Sequence, residues 1–113
     1  MEDYSDLSKA LQTFTSIREL NLSFDSNEMG GDCLKILTNS YQEYEYLEKL
    51  RMNLNRNDIG PDALCSLIQG LEHLGMLSQV YIQAKKNIRR IDEKDMVRDA
   101  LLKLMIKNKK IDL

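Results

Sequence analysis

The sequence predicts an α/β solenoid, a short arc in which parallel strands line the concave side and helices line the convex side. Two observations predict it. The segment from Ile17 to Gly30 aligns without gaps on the segment from Leu47 to Gly60, thirty residues later. Within each copy the apolar residues first alternate and then recur every three or four positions, so a helix follows a strand. Neither element can bury its apolar side alone, and successive units must therefore stack.

Each strand is predicted from strict alternation of apolar and polar residues. The alternating apolar positions are Leu20, Leu22 and Phe24, then Leu50, Met52 and Leu54, and then Val80, Ile82 and Ala84. Because these positions repeat at a spacing of thirty residues, we expect Leu20, Leu50 and Val80 to occupy stacked rungs of one core.

Helices are predicted where the apolar spacing changes to three and four. Their stripes are Leu34, Leu37, Tyr41 and Tyr44; Leu64, Leu67, Leu71 and Leu74; and Met96, Val97, Ala100, Leu101, Leu104 and Met105. The second helix has a readable start, since Gly60 ends the loop, Pro61 suits the first helical position and the Asp62 carboxylate favours the helix dipole. Leu7, Leu11 and Phe14 match the first stripe, so the chain opens with the helical half of a unit.

These elements predict a single domain over residues 1–113. Its parts are a helical half-repeat at 5–16, repeats at about 17–46, 47–76 and 77–107, and a partial strand at 108–113. We expect Ile111 in this last strand to align with Val80, 31 residues earlier. An exposed strand edge then ends the array, and an edge without a covering unit is a site where another chain can pair.

The pattern L-x-L-x-L-x-x-N-x-I/M-G, followed by an amphipathic helix, resembles the leucine-rich repeat family. The long helix is similar to that of the ribonuclease-inhibitor-like subclass, although the third copy loses its Gly in Asn87-Ile88-Arg89-Arg90. The resemblance implies a horseshoe arc and a structural ladder of Asn27, Asn57 and Asn87. An Asn amide both donates and accepts, so such a ladder satisfies backbone groups that each strand leaves unpaired.

Polar residues between the inward apolar positions are predicted to form a concave face that binds a partner. The face comprises Glu19, Asn21, Ser23, Lys49, Arg51, Asn53, Asn55, Gln79, Tyr81, Gln83 and Lys85. Arg51 and Tyr81 are its expected anchors, with Asn53 and Gln83 beside them, because Arg and Tyr dominate binding energy at interfaces. Glu19 and Lys49 are expected to pair across two strands. The alternative for any one of these residues is a merely solvated sheet surface.

Charge is distributed unevenly along the chain. Residues 1–84 carry 6 basic and 13 acidic side chains, whereas residues 85–113 carry 10 basic and 5 acidic ones. The basic quarter suits an acidic partner, either nucleic acid or an acidic protein surface. Nucleic acid is the weaker alternative because the cations lack interleaved aromatic residues. A solvated helix face of mixed charge explains the same pattern.

Catalytic, cofactor and metal sites are not predicted. His73 has no nucleophile or carboxylate at a spacing that defines a catalytic pair, and no glycine-rich phosphate loop is present. Cys33 and Cys65 lack the short spacing of a zinc site and are expected to be buried free thiols, with a disulfide between them as the alternative.

The predicted function is therefore a non-enzymatic protein interaction module, a structural or adaptor subunit of a larger assembly. Its partners would be other protein subunits at the concave face and the C-terminal edge. The family resemblance leaves open a regulator of another enzyme, either a GTPase activator or a ribonuclease inhibitor. The acidic N-terminus and the lack of a bilayer-length apolar run predict a cytoplasmic protein without a membrane span. Resemblance to repeat arrays of motile cilia adds a cytoskeletal or ciliary location as an alternative.

Overall fold

A computed structural model of the chain describes residues 16–24, 34 and 44–113. These residues form a small α/β domain with one four-stranded parallel sheet and two helices. The elements are β1 (Glu19–Ser23), β2 (Lys49–Asn53), α1 (Pro61–Gly70), β3 (Gln79–Gln83), α2 (Ile91–Leu102) and β4 (Asn108–Asp112). The predicted helical half-repeat at 5–16, apart from residue 16, and Asn27 and Cys33 lie outside the described residues.

The sheet runs in chain order, β1-β2-β3-β4, and every neighbouring pair is parallel. Leu20 pairs with Leu50 and Leu50 with Val80, so the predicted rung is confirmed. The next apolar row, Leu22, Met52 and Ile82, lies two residues further along the same strands.

A third apolar row follows the strands. Phe24, Leu54 and Ala84 are buried, and the backbone N–H of each donates to a carbonyl of the next strand along the sheet at 2.7 to 2.8 Å. The ladder of backbone hydrogen bonds thus extends one residue beyond the strands.

The predicted alignment of the fourth strand is wrong. Val80 pairs with Lys109, and Ile111 pairs with Ile82, an offset of 29 residues rather than 31. The cause is a shortened turn, since two residues separate Leu74 from Leu77 but one residue separates Leu104 from Ile106. The prediction matched apolar Ile111 to apolar Val80, whereas Lys109 occupies that core row in the fourth strand.

Helix α1 packs against α2. The predicted stripe of Leu64, Leu67, Leu71 and Leu74 is buried, but α1 ends at Gly70, and the last two residues lie in and just after the 3-10 turn that follows. The helix begins with Gly60 as its N-cap and Pro61 at its first position, as predicted. Leu34 is helical and buried, and Tyr44 is fully buried.

Helix α2 buries fewer of its predicted residues. Val97 and Leu101, together with Leu104 after the helix, are buried, whereas Met96 is 42% exposed and Met105 is 99% exposed. Met96 leaves the stripe because its neighbour Val97 takes the core position and a helix buries one side only. Met105 lies beyond the end of α2 at Leu102, where helical periodicity no longer applies.

Candidate functional site

The side of the sheet opposite the core carries three polar rows, each crossing all four strands. Here these rows are called the polar face. They consist of Glu19, Lys49, Gln79 and Asn108; Asn21, Arg51, Tyr81 and Lys110; and Ser23, Asn53, Gln83 and Asp112. Their side chains are exposed or half-buried. Alternation places them there, because the residues between them fill the core. The structure thus brings together the predicted residues of the three strands.

Tyr81 is the centre of the middle row. The Cζ atom of Arg51 lies 5.4 Å from the centre of its ring, and the Nζ atom of Lys110 lies 5.5 Å from it. The two cations therefore reach the ring from the two neighbouring strands, and each distance is within the range of a cation–π contact. This arrangement places one cation on each side of the Tyr81 ring.

The hydroxyl of Tyr81 is also engaged. It donates a hydrogen bond of 2.6 Å to Oδ2 of Asp112, and the Gln83 amide donates to it at 3.4 Å. The Lys110 ammonium lies 3.9 Å from Oδ1 of the same Asp112. Tyr81 is thereby held upright on the sheet, since a ring with a fixed hydroxyl has few ways to rotate.

Three residues of β4 join the polar face that the sequence reasoning did not assign to it: Asn108, Lys110 and Asp112. They were missed because the predicted face was drawn from the first three strands only; the wrong alignment of Ile111 would in addition have placed them in the wrong rows. The signal that could have found them is the single residue between Leu104 and Ile106, which shortens the repeat.

The first row contains the predicted pair of charges. The Nζ atom of Lys49 lies 3.5 Å from Oε1 of Glu19, and both side chains are largely exposed. An exposed pair of this kind contributes about 0 to 1 kcal/mol. The pair matters more for the charge pattern of the face, because it neutralises Lys49, whereas among the described residues no carboxylate lies within ion-pair distance of Arg51.

A shallow depression of about 980 Å³ lies over the first two rows. Its polar and charged lining is Glu19, Asn21, Lys49, Arg51, Gln79, Tyr81, Lys107, Asn108, Lys109 and Lys110. Five of these residues are cations and one is a carboxylate, whereas the whole chain has a net charge of -2. The depression is therefore a basic region of an acidic protein.

Two of the predicted face residues have their oxygens turned to the backbone. Oδ1 of Asn53 accepts from the N–H of Asn55, and Oδ1 of Asn55 accepts from the N–H of Lys85, a residue of the next unit. These bonds of 3.1 and 2.8 Å shape the loops at the ends of the strands. Asn55 and Lys85 lie beyond the strand ends, whereas Arg51 and Tyr81 lie on the sheet.

Asn57 and Asn87 join neighbouring units through their amides. The Asn87 side chain donates to the carbonyl of Leu54 at 2.7 Å and accepts from the N–H groups of Asn57 and Ile59 at 2.9 and 3.0 Å. The Asn57 amide donates to the carbonyl of Phe24 at 2.7 Å, with the same sequence separation of 33 residues. Each Asn follows a residue with positive φ, Arg56 at 58° and Lys86 at 67°.

On the helical side, Cys65 lies in a groove between α1 and α2. It is a half-buried free thiol, and burial, with the Asp62 carboxylate nearby, raises its pKa. A raised pKa keeps the thiol protonated at neutral pH and makes it a poor nucleophile. His73 is exposed in the 3-10 turn that ends α1.

Within the part of the chain that the structure describes, no three His, Cys, Asp or Glu side chains are grouped as a metal site requires. Neither of the helices among the described residues is long and apolar enough to span a bilayer. Comparison with protein-family models, with curated proteins and with solved structures finds no match for this chain.

Proposed function

We propose that this chain is a protein interaction module of the leucine-rich repeat type, a non-enzymatic subunit or adaptor that binds a partner protein through the polar face. The observation that carries the proposal is the middle row of that face, where Arg51 and Lys110 flank Tyr81. Arg and Tyr side chains held in fixed positions are typical anchors of protein interfaces, because little conformational entropy is lost when a partner docks.

Two regularities support the solenoid part of the proposal. Strand residues pair at a spacing of thirty across β1, β2 and β3. The side-chain amides of Asn57 and Asn87 each donate to a backbone carbonyl 33 residues earlier in the chain. Units that repeat both their core rung and their loop hydrogen bonds are expected in a repeat array, in which each unit contacts its neighbours.

The charges at the β4 edge favour the polar face over that edge as the partner site. Lys109 occupies the core row of β4, where β2 and β3 have Leu50 and Val80. On α2, Arg98 is exposed, although the equivalent position of α1, thirty residues earlier, holds the buried Ile68. Charges at such positions oppose pairing with another apolar repeat.

Co-purification with variants of each surface tests the proposal. Tagged wild-type protein and the helix variant Arg98→Ala are expected to retain the same stoichiometric partner from the native source, whereas Tyr81→Ala is expected to lose it. Retention of that partner by Tyr81→Ala, combined with its loss in Arg98→Ala, would assign binding to the helical side and contradict the proposal.

A further inference from the structure

The cations on the strands of the sheet differ in how far they are neutralised. Lys49 pairs with Glu19, and the Lys109 ammonium donates to the carbonyls of Leu102 and Leu104 at the end of α2. Arg51 contacts the Tyr81 ring, and among the described residues no carboxylate lies within ion-pair distance of it. The Lys110 side chain is 68% exposed, and its ammonium lies as far as 3.9 Å from the Asp112 carboxylate, so this ion pair is long. Arg51 and Lys110 are thus the cations best placed to receive a new anion.

The separation of these two cations suggests the form of that anion. Arg51 and Lys110 lie in one row, on strands separated by β3. Two strand spacings amount to about 10 Å. Three residues of a segment in the extended polyproline II conformation, which has three residues per turn, span about 9 Å. Because residues three apart face the same side of such a segment, one that crosses the strands would place their side chains over the two cations.

Resting on the proposed function, we propose that the polar face binds an extended acidic segment of a partner protein, with two carboxylates three residues apart. One carboxylate pairs with the Arg51 guanidinium, which donates two hydrogen bonds to it, and the other pairs with the Lys110 ammonium. Charge complementarity supports this partner, because the depression is lined by five cations and one carboxylate.

The same surface suits nucleic acid less well. Single strands bind by stacking bases on free aromatic rings, but the Tyr81 ring is flanked by cations from both neighbouring strands. The carboxylates of Glu19 and Asp112, at opposite corners of the face, would also repel a continuous phosphate backbone. Two isolated carboxylates need neither a free aromatic ring nor a continuous track of cations.

Titration of the ¹⁵N-labelled full chain with short synthetic peptides tests the proposal by NMR. The acidic probe is Gly-Ser-Glu-Ala-Ala-Glu-Ser-Gly, and the matched probes replace both Glu by Gln or move the two Glu to a spacing of two. We expect the acidic probe to shift amides of Arg51, Tyr81 and Lys110 and to bind about tenfold more tightly than either matched probe. Raising the salt concentration should weaken its binding.

Variants that remove one of the two cations test the same proposal from the side of the protein. Arg51→Gln and Lys110→Gln are each expected to weaken binding of the acidic probe about tenfold, whereas Lys103→Gln, an exposed cation after α2, should leave it unchanged. Amide spectra that coincide away from the polar face would show that both variants keep the fold.

Three results would overturn the proposal. Equal binding of the Glu and Gln probes at the polar face would remove the acidic preference while leaving the face as an interaction site. Tighter binding of a uridine decamer than of any peptide, lost in Arg51→Gln, would assign the face to nucleic acid. Amide shifts confined to α1 and α2 would contradict the proposed function together with the acidic segment.

Discussion

Single side chains of this protein form hydrogen bonds with backbone groups that are distant in the sequence. Asn87 is the clearest case, because one amide group serves the backbone of Leu54, Asn57 and Ile59 in the preceding unit. Asn57 is fully buried, so water is not at hand to replace these bonds. The loop after β2 is therefore held by the asparagine that follows β3.

Replacing Asn87 by Ala should destabilise the protein by about 2 to 4 kcal/mol, because it leaves two N–H groups and one carbonyl without partners. The measurement is urea unfolding followed by circular dichroism. Asn21→Ala, on the exposed first strand, is the matched control and should change the free energy of unfolding by less than about 0.5 kcal/mol. Equal stability of the Asn87 variant and the control would contradict the structural role of the amide.

Tyr44 gives the protein a pH dependence in alkaline solution. Burial raises the pKa of Tyr44 from 10.0 to about 12. The unfolded chain then loses this proton before the folded one does, so Tyr44 lowers the free energy of unfolding as the pH rises from about 10 to about 12. Below pH 10 its contribution is constant.

The check is urea unfolding of the wild type and Tyr44→Phe at pH 9 and at pH 11.5. Lysines and other tyrosines titrate in both proteins, so the comparison isolates Tyr44. We expect the wild type to lose more stability than Tyr44→Phe over this interval, and a parallel loss in both would refute the assignment.

At the scale of elements, β4 differs from the other strands in what it places in the core row. Lys109 stands beside Val80 and sends its ammonium to the carbonyls of Leu102 and Leu104, at 3.1 and 2.7 Å. A cation at a helix C-terminus satisfies orphan carbonyls and interacts favourably with the helix dipole. Thus β4 and the end of α2 stabilise each other.

Lys109→Met should lower the free energy of unfolding by about 1 kcal/mol, because the apolar stem remains but the hydrogen bonds to α2 are lost. Lys103→Met, which removes a nearby exposed lysine, serves as the control. Thermal unfolding distinguishes the two variants. A Lys109→Met variant as stable as the wild type would show that the ammonium adds nothing to the end of α2.

The elements also show how far sequence reasoning reaches. The rungs of β1, β2 and β3 were predictable because an apolar residue recurs at every thirtieth position, as in Leu20, Leu50 and Val80. The register of β4 was not, because Lys109 replaces the apolar residue and the preceding turn is one residue shorter. A pattern of apolar residues cannot locate a rung that is filled by a charged one.

The same limit applies to the candidate site. Alternation was enough to place Arg51 and Tyr81 on the polar face. The contacts of Tyr81 with Lys110 and Asp112 depend on the register of β4, so they became visible only in three dimensions. The backbone bonds of Asn53 and Asn55 were equally hidden, since an exposed Asn and a capping Asn have the same letter in a sequence.

For the whole molecule, one parallel sheet positions both the core and the polar face. The strands that bury Leu50 and Val80 also display Arg51 and Tyr81, because neighbouring residues of a strand face opposite sides. A slip of one residue would exchange the two sets, and a slip of two in β4 would take Lys110 out of the row of Arg51 and Tyr81. The proposed function therefore depends on the register of four strands.

Cross-strand nuclear Overhauser effects measured on the ¹³C,¹⁵N-labelled protein test this register most directly. We predict contacts between the backbone protons of Tyr81 and those of Arg51 on one side and Lys110 on the other, with Val80 beside Lys109. Contacts that place Val80 beside Ile111 instead would pair Tyr81 with Asp112, move Lys110 beside Gln79 and contradict the account.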